Sequence, residues 1–134
     1  MKSVTIISED RVGLLADVSY ILSKSNINIE GLFADVVGGK AVISLEVKDP
    51  KRAAEVLGSN GFKTADPEAI VIKVANNAMQ DVTDMLEGEQ VHVKSLFTLS
   101  SDHQDGIFAI NVDKPRKASK MLSSFMLGNA AAPY

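Results

Sequence analysis

The second half of this 134-residue chain replays its first, and that repetition limits the available folds more than any other feature. The alternating run Ile70–Val74 (IVIKV) echoes Val4–Ser8 (VTIIS). Val91–Phe97 (VHVKSLF) follows Ile27–Phe33 (INIEGLF) by 64 residues, and Pro115–Leu122 (PRKASKML) follows Pro50–Leu57 (PKRAAEVL) by 65. Three matches in the same order indicate a duplicated unit of about 65 residues. A unit that small buries only about 60% of its unfolded surface, so two of them are expected to pack on each other or on a partner.

Within the first copy, Val4–Ser8 is rich in β-branched residues and predicts a short strand. From Gly13 the period changes. Leu14, Leu15, Val18, Ile21 and Leu22 make one stripe of an amphipathic helix, with Asp10 as its expected N-cap. The helix fades over Ser23–Asn26, and a β stretch is predicted from Ile27 to Val37, with Gly31 as a candidate bulge. Gly38-Gly39 turns the chain. Ala41, Ile43, Leu45 and Val47 then alternate with Val42, Ser44, Glu46 and Lys48 in a returning strand. Asp49-Pro50 starts a second helix, with a capping carboxylate before a proline at its first turn. Ala53, Val56 and Leu57 form its inner stripe, Gly58 its end. Phe62–Thr64 is a last short strand before the linker Ala65–Glu68, so the order is βαββαβ.

The copies are unequal. Asp10–Leu15 of the first faces only Ala75-Asn76-Asn77-Ala78 in the second, a loop shorter by roughly three residues. After Phe125 the second copy passes into Met126–Tyr134, rich in Gly, Ala and Pro, so its fourth strand is expected to be short, displaced or absent.

Composition narrows the function. The chain has no Cys, which removes disulfides, thiolate metal sites and a Cys nucleophile. A net charge of −3, no Trp and 5% aromatic residues argue against a nucleic-acid partner. Met1-Lys2-Ser3 runs into a strand without an apolar leader, and no apolar run reaches the ~18 residues of a membrane span. A cytoplasmic location is the default expectation.

Ser8–Gly13 joins a strand to a helix, whose N-terminus offers unpaired N–H groups and a partial positive charge to a carboxylate or phosphate. Two readings are open from the residues alone. Gly13 lets a ligand approach the backbone, or it merely relieves crowding where helix meets sheet. The segment Ser8–Leu32 (SEDRVGLLADVSYILSKSNINIEGL) resembles the opening of the ACT domain, a small ferredoxin-like βαββαβ module that binds amino acids. The family's loop is D/N-R-P-G-x-L, followed about a helix later by x-N-I. Asp10, Arg11, Gly13, Leu15, Asn28 and Ile29 match, and Val12 stands where the family often has Pro.

The resemblance implies an α+β fold of two ACT units, at residues 1–65 and 69–127 with a tail at 128–134, each an antiparallel sheet with its helices on one face. It also implies an effector site. In this family two modules commonly join their sheets side by side, and the effector lies at the seam between the glycine loop of one and the second strand of the other. Carried over, Ser8 and Asp10 would meet an ammonium or polar group, and the N–H groups of Gly13, Leu14 and Leu15 a carboxylate. Val12 would line the loop, and Asn28 would be supplied from the partner module. The chemistry is coherent, because a zwitterion needs an anionic acceptor at one end and oriented donors at the other. Arg11 is expected to face solvent or an interface.

The second copy, whose loop lacks both Gly and acid, reads as mainly structural. His92 and His103, the latter near Asp102 and Asp105, show no third ligand or apolar pocket, so neither metal nor catalysis is expected. The charges Asp81, Asp84, Glu87 and Glu89 and the charges Lys114, Arg116, Lys117 and Lys120 read as solvated helix faces. The expectation is a non-enzymatic, cofactor-free regulatory protein. It would bind an amino acid or related metabolite, act through ligand-dependent association, and form a homodimer because an unfinished sheet leaves an edge. The alternative is a regulatory subunit or assembly module of an amino-acid biosynthetic enzyme such as acetolactate synthase, whose small subunits carry a similar loop.

Overall fold

The computed structural model describes residues 2–126. It separates into two compact units, Met1–Pro67 and a second that begins at Glu68. The tail expected at 128–134 lies outside the described residues.

The first unit runs β1 (Ser3–Glu9), α1 (Leu14–Lys24), β2 (Gly31–Val37), β3 (Lys40–Glu46), α2 (Pro50–Ser59) and β4 (Lys63–Thr64). Its strands pair antiparallel in the order β2-β3-β1-β4. Both faces of β3 are buried, but one supplies the core. Ala41, Ile43 and Leu45 join Val4 and Ile6 of β1, with Leu14, Val18 and Leu22 of α1 and Ala53 and Leu57 of α2. The period of two on the strands and of 3.6 on the helices meet in one apolar layer.

The second unit repeats this with β5 (Ile70–Ala75), a 3₁₀ turn at Asn76–Ala78, α3 (Met79–Gly88), β6 (Val93–Ser101), β7 (Asp105–Val112) and α4 (Pro115–Met121). Its sheet has three strands, β5-β7-β6. Where the first unit has β4, the second has among the described residues a single bridge, Ile72 to Met126. The rest of Met126–Tyr134, where a short, displaced or absent last strand is expected, lies outside the described residues. Its core holds Ile70, Ile72, Val82, Leu86, Phe108, Ile110, Ala118 and Leu122, the counterparts of Val4, Ile6, Val18, Leu22, Ile43, Leu45, Ala53 and Leu57.

The duplication extends to the helix ends. After α1, Asn26 takes a left-handed conformation (φ 58) and Ile27 N–H donates to Leu22 O at 2.9 Å. After α3, Gln90 (φ 63) and Val91 N–H to Leu86 O at 2.9 Å reproduce the same exit. Arg52 Nη2 donates to Ser25 O at 2.5 Å, and Lys117 Nζ to Glu89 O at 2.7 Å. In both units a cation on the later helix ties down carbonyl groups at the negative end of the earlier one.

Several expectations need correction. Asp10 does not cap α1. The N-cap is Gly13, and no side chain bonds there, because the loop carries Asp10 away along the β1–β3 ladder. Leu15 is 45% exposed rather than part of the inner stripe. Residues 27–30 are not in the ladder, since Ile27 is engaged in closing the helix and only Glu30 N–H reaches Glu46 O. Gly31 keeps a regular register with Glu46, and the irregularities fall instead on β6, at Val93/Ser95 and Thr98/Ser100. The helix α2 passes Gly58 and ends at Ser59. Lys114 and Lys117 are not merely solvated, because Lys114 Nζ bonds Gln90 O at 2.8 Å beside the Lys117 contact. Asp49, by contrast, accepts from Arg52 N–H at 3.2 Å as its position before Pro50 suggests.

Leu57 and Leu122 are both fully buried at equivalent positions. Leu57→Ala and Leu122→Ala should each cost about 2–5 kcal/mol, measured by denaturant unfolding. If only one of the two destabilised the protein, the units would not be equivalent in their packing.

Candidate functional site

The loop between β1 and α1 is set by two backbone constraints. Asp10 N–H donates to Gly39 O at 3.3 Å and extends the ladder one residue beyond β1. The chain must then reverse into a helix within three residues. It does so through Gly13 at φ 85, a conformation that costs a residue with a Cβ about 1–2 kcal/mol. Leu14 N–H closes onto Arg11 O at 3.3 Å, and Asp17 N–H onto Gly13 O at 2.9 Å. No side chain caps the first turn of α1. Of the three amides considered for a carboxylate, Leu14 is already engaged, which leaves Gly13 and Leu15.

The side chains divide by role. Leu14 is 4% exposed and belongs to the core, whereas Val12 is fully exposed at the tip of the loop and Leu15 stands half out of the surface. Arg11 Nη2 lies 2.8 Å from the Asp17 carboxylate, an exposed ion pair that holds the loop against the helix. Ser8 Oγ donates to the Glu9 carbonyl at 3.2 Å. The exposed Asp10 carboxylate makes no hydrogen bond or ion pair within the described residues.

The second unit shows what that loop looks like when it is closed by the protein's own groups. Asn76 occupies the place of Asp10, and its N–H donates to Gln104 O at 2.9 Å as Asp10 N–H does to Gly39 O. Its side-chain Nδ2 also donates to Asp102 O at 2.7 Å, a bond that a carboxylate at this position cannot make. Gly106 allows this close approach, since a Cβ there would stand 2.8 Å from Asn76 Oδ1 and 2.6 Å from the Phe108 ring. The second loop is thus tied to its hairpin, with no glycine and no acid presented to solvent.

Asn28 lies at the other end of α1 from the glycine loop. Eleven helical residues separate the two, about 16 Å at 1.5 Å per residue. One unit therefore does not bring Asn28 to the same small ligand as Asp10 and Gly13. Asn28 instead lines a shallow groove of about 410 Å³ with Ser19, Ser23, Asn26, Ile27 and Ile29. Ser19, Ser23 and Asn26 were not singled out from the sequence, although the i, i+4 spacing of the two serines points both to one helix face.

The two histidines lie in segments shaped by backbone hydrogen bonds. Asp102 shapes the β6–β7 turn, accepting from Asp105 N–H at 2.7 Å and Gln104 N–H at 2.8 Å, and these bonds hold its carboxyl below the usual range. His92 is bound through its backbone, its N–H donating to Asp113 Oδ1 at 2.8 Å. Among the described residues no group of three or more His, Cys, Asp or Glu is placed to hold a metal, and no helix is long and apolar enough to cross a membrane.

Residues 2–58 match the family model of the ACT domain. No curated protein sequence is significantly similar to the chain. Solved structures similar to it include a protein from Bacteroides thetaiotaomicron (23% identity, covering 97% of this chain and 92% of that one, TM-score 0.47). Others are the ligand-free regulatory subunit of aspartate kinase from Thermus thermophilus (13%, 91% and 90%, 0.45) and the small subunit of acetolactate synthase from Thermotoga maritima (14%, 94% and 88%, 0.40).

No atom lies within 4 Å of a Cβ built on Gly13, so Gly13→Ala is opposed by backbone strain alone. It should lower stability by about 1 kcal/mol without changing the fold, as read by chemical denaturation and circular dichroism. Asp102 should titrate below an ordinary Asp in NMR. Its contribution to stability is then present above the unfolded-chain pKa and lost as pH falls through the folded value.

Proposed function

We propose that this chain is a regulatory protein that binds an amino acid or closely related metabolite at the glycine loop of its first unit and passes that state on through association. The observation that carries the reading is the contrast at equivalent positions. Asn76 ties its loop down through a side-chain bond, while Asp10 presents an unpartnered carboxylate next to an uncapped helix start. An exposed acid beside oriented N–H donors matches the two ends of a zwitterion. The ACT match over residues 2–58 supports it, and the second unit is read as a degenerate ACT copy with a mainly structural role.

In this reading Asp10 accepts the ammonium, Gly13 and Leu15 N–H receive the carboxylate, and Ser8, Val12 and the buried Leu14 shape the loop. Asn28 serves a loop other than its own, which the length of α1 requires. Association has a surface to use. Leu32 and Val36 on the edge strand β2, on the helix side of the sheet by register with Leu45 and Ala41, are exposed. The same exposed residues favour a second reading, a regulatory subunit docked on an amino-acid biosynthetic enzyme such as acetolactate synthase.

Thermal-shift screening of the common amino acids should find one that saturates. At 100 times its Kd it adds about 2.7 kcal/mol, a shift of several degrees. Asp10→Ala should abolish that shift, and an unchanged affinity would move the site elsewhere. Light scattering after size exclusion should show a homodimer at micromolar concentration. A monomer that co-purifies stoichiometrically with an enzyme would favour the second reading.

A further inference from the structure

A different part of the first unit carries an inference of its own. The strand β4 pairs only with Ile6 and Ile7, through Thr64 and Lys63, while β1 continues to Glu9. Beyond Ile7 the outer edge of β1 is left facing the turn Asn60-Gly61-Phe62 across a notch of about 450 Å³. Glu9 is opposite Lys40, and the neighbouring pair Asp10–Gly39 is the hydrogen-bonded one, so the alternation of an antiparallel ladder directs Glu9 N–H away from β3 and into this notch.

Three cations from three separate segments line it: Arg11 from the loop, Lys40 from the start of β3 and Lys63 from β4. One carboxylate, Glu9, opposes them. Arg11 is shared with Asp17, but Lys40 and Lys63 make no hydrogen bond or ion pair within the described residues. The chain as a whole carries a net charge of −3, so this concentration of positive charge runs against its general balance. The fold does not demand it either. In the second unit the pair equivalent to Glu9–Lys40 is Ala75–Asp105, with an acid where the lysine stands.

We propose that this notch binds a small metabolite with two or more carboxylate or phosphate groups. Its anionic groups are met by Lys40, Lys63 and Arg11, with the Glu9 amide as an oriented donor, and its body rests against Ile7 and Phe62. The notch shares Ser8 and Arg11 with the loop that carries Asp10, but the proposal does not rest on the reading given for that loop.

Calorimetric titration of the full chain with citrate and, separately, with pyrophosphate distinguishes the two chemistries. Saturable binding of either at one per chain is expected, weakened by added chloride. Amide NMR shifts on titration should centre on Glu9, Gly61 and Lys63. The double variant Lys40→Gln/Lys63→Gln should weaken binding at least about tenfold, given ~1.4 kcal/mol per decade. Lys94→Gln/Lys120→Gln, which removes the same charge from exposed positions of the second unit, should change it little. Absence of saturable binding by both anions, undiminished affinity in the first variant, equal loss in the second, or NMR shifts centred elsewhere would each overturn the proposal. The NMR reading on the unaltered protein decides the matter even if the first variant fails to fold.

Discussion

In each unit the first helix must cross the middle strand of the sheet, because the strands it connects lie on either side of that strand. Val18 and Leu22 of the helix, and Ile27 just after it, share one core with Ile43 and Leu45, as Val82, Leu86 and Val91 do with Phe108 and Ile110 in the second unit. Everything around the helix is placed by this contact. Its N-terminal end fixes where the glycine loop must turn, its C-terminal end fixes where Asn28 stands, and its length keeps the two apart.

The cations at the helix exits belong to the same arrangement. Arg52 and Lys117 are on the later helices but bond carbonyl groups at the ends of the earlier ones. These bonds are exposed and individually modest. They recur while the side chain changes from guanidinium to ammonium, so a donor of positive charge at this point matters more than its shape.

The duplication was legible because core spacing repeats as a pattern of residue types. Local details decided by competing hydrogen bonds were not. Asp10 has the composition of a cap, yet the ladder to Gly39 draws it outward. Ile27–Glu30 has strand composition, yet closing the helix takes the Ile27 amide first. Leu15 fits the helical stripe by spacing, but it lies about 100° around the helix from Leu14, which with Val18 and Leu22 takes the core-facing line. For the candidate site, the loop residues were visible in the sequence. The notch was not, because Arg11, Lys40 and Lys63 are scattered along the chain and are gathered only by register.

The two left-handed residues that end α1 and α3 show what the repeat has kept against the preference of its backbone. Glycine would sit at φ near 60° without strain, and asparagine tolerates it better than glutamine does. Neither position is glycine. Asn26 lines the groove with Asn28, and the backbone carbonyl of Gln90 accepts from Lys114 Nζ at a bend that a glutamine does not favour. Both units thus make the same exit with residues of different backbone preference, so its shape is set by the bonds around the bend, the Ile27 and Val91 amides closing on Leu22 and Leu86 and the cations of the later helices, rather than by the residue at the bend itself.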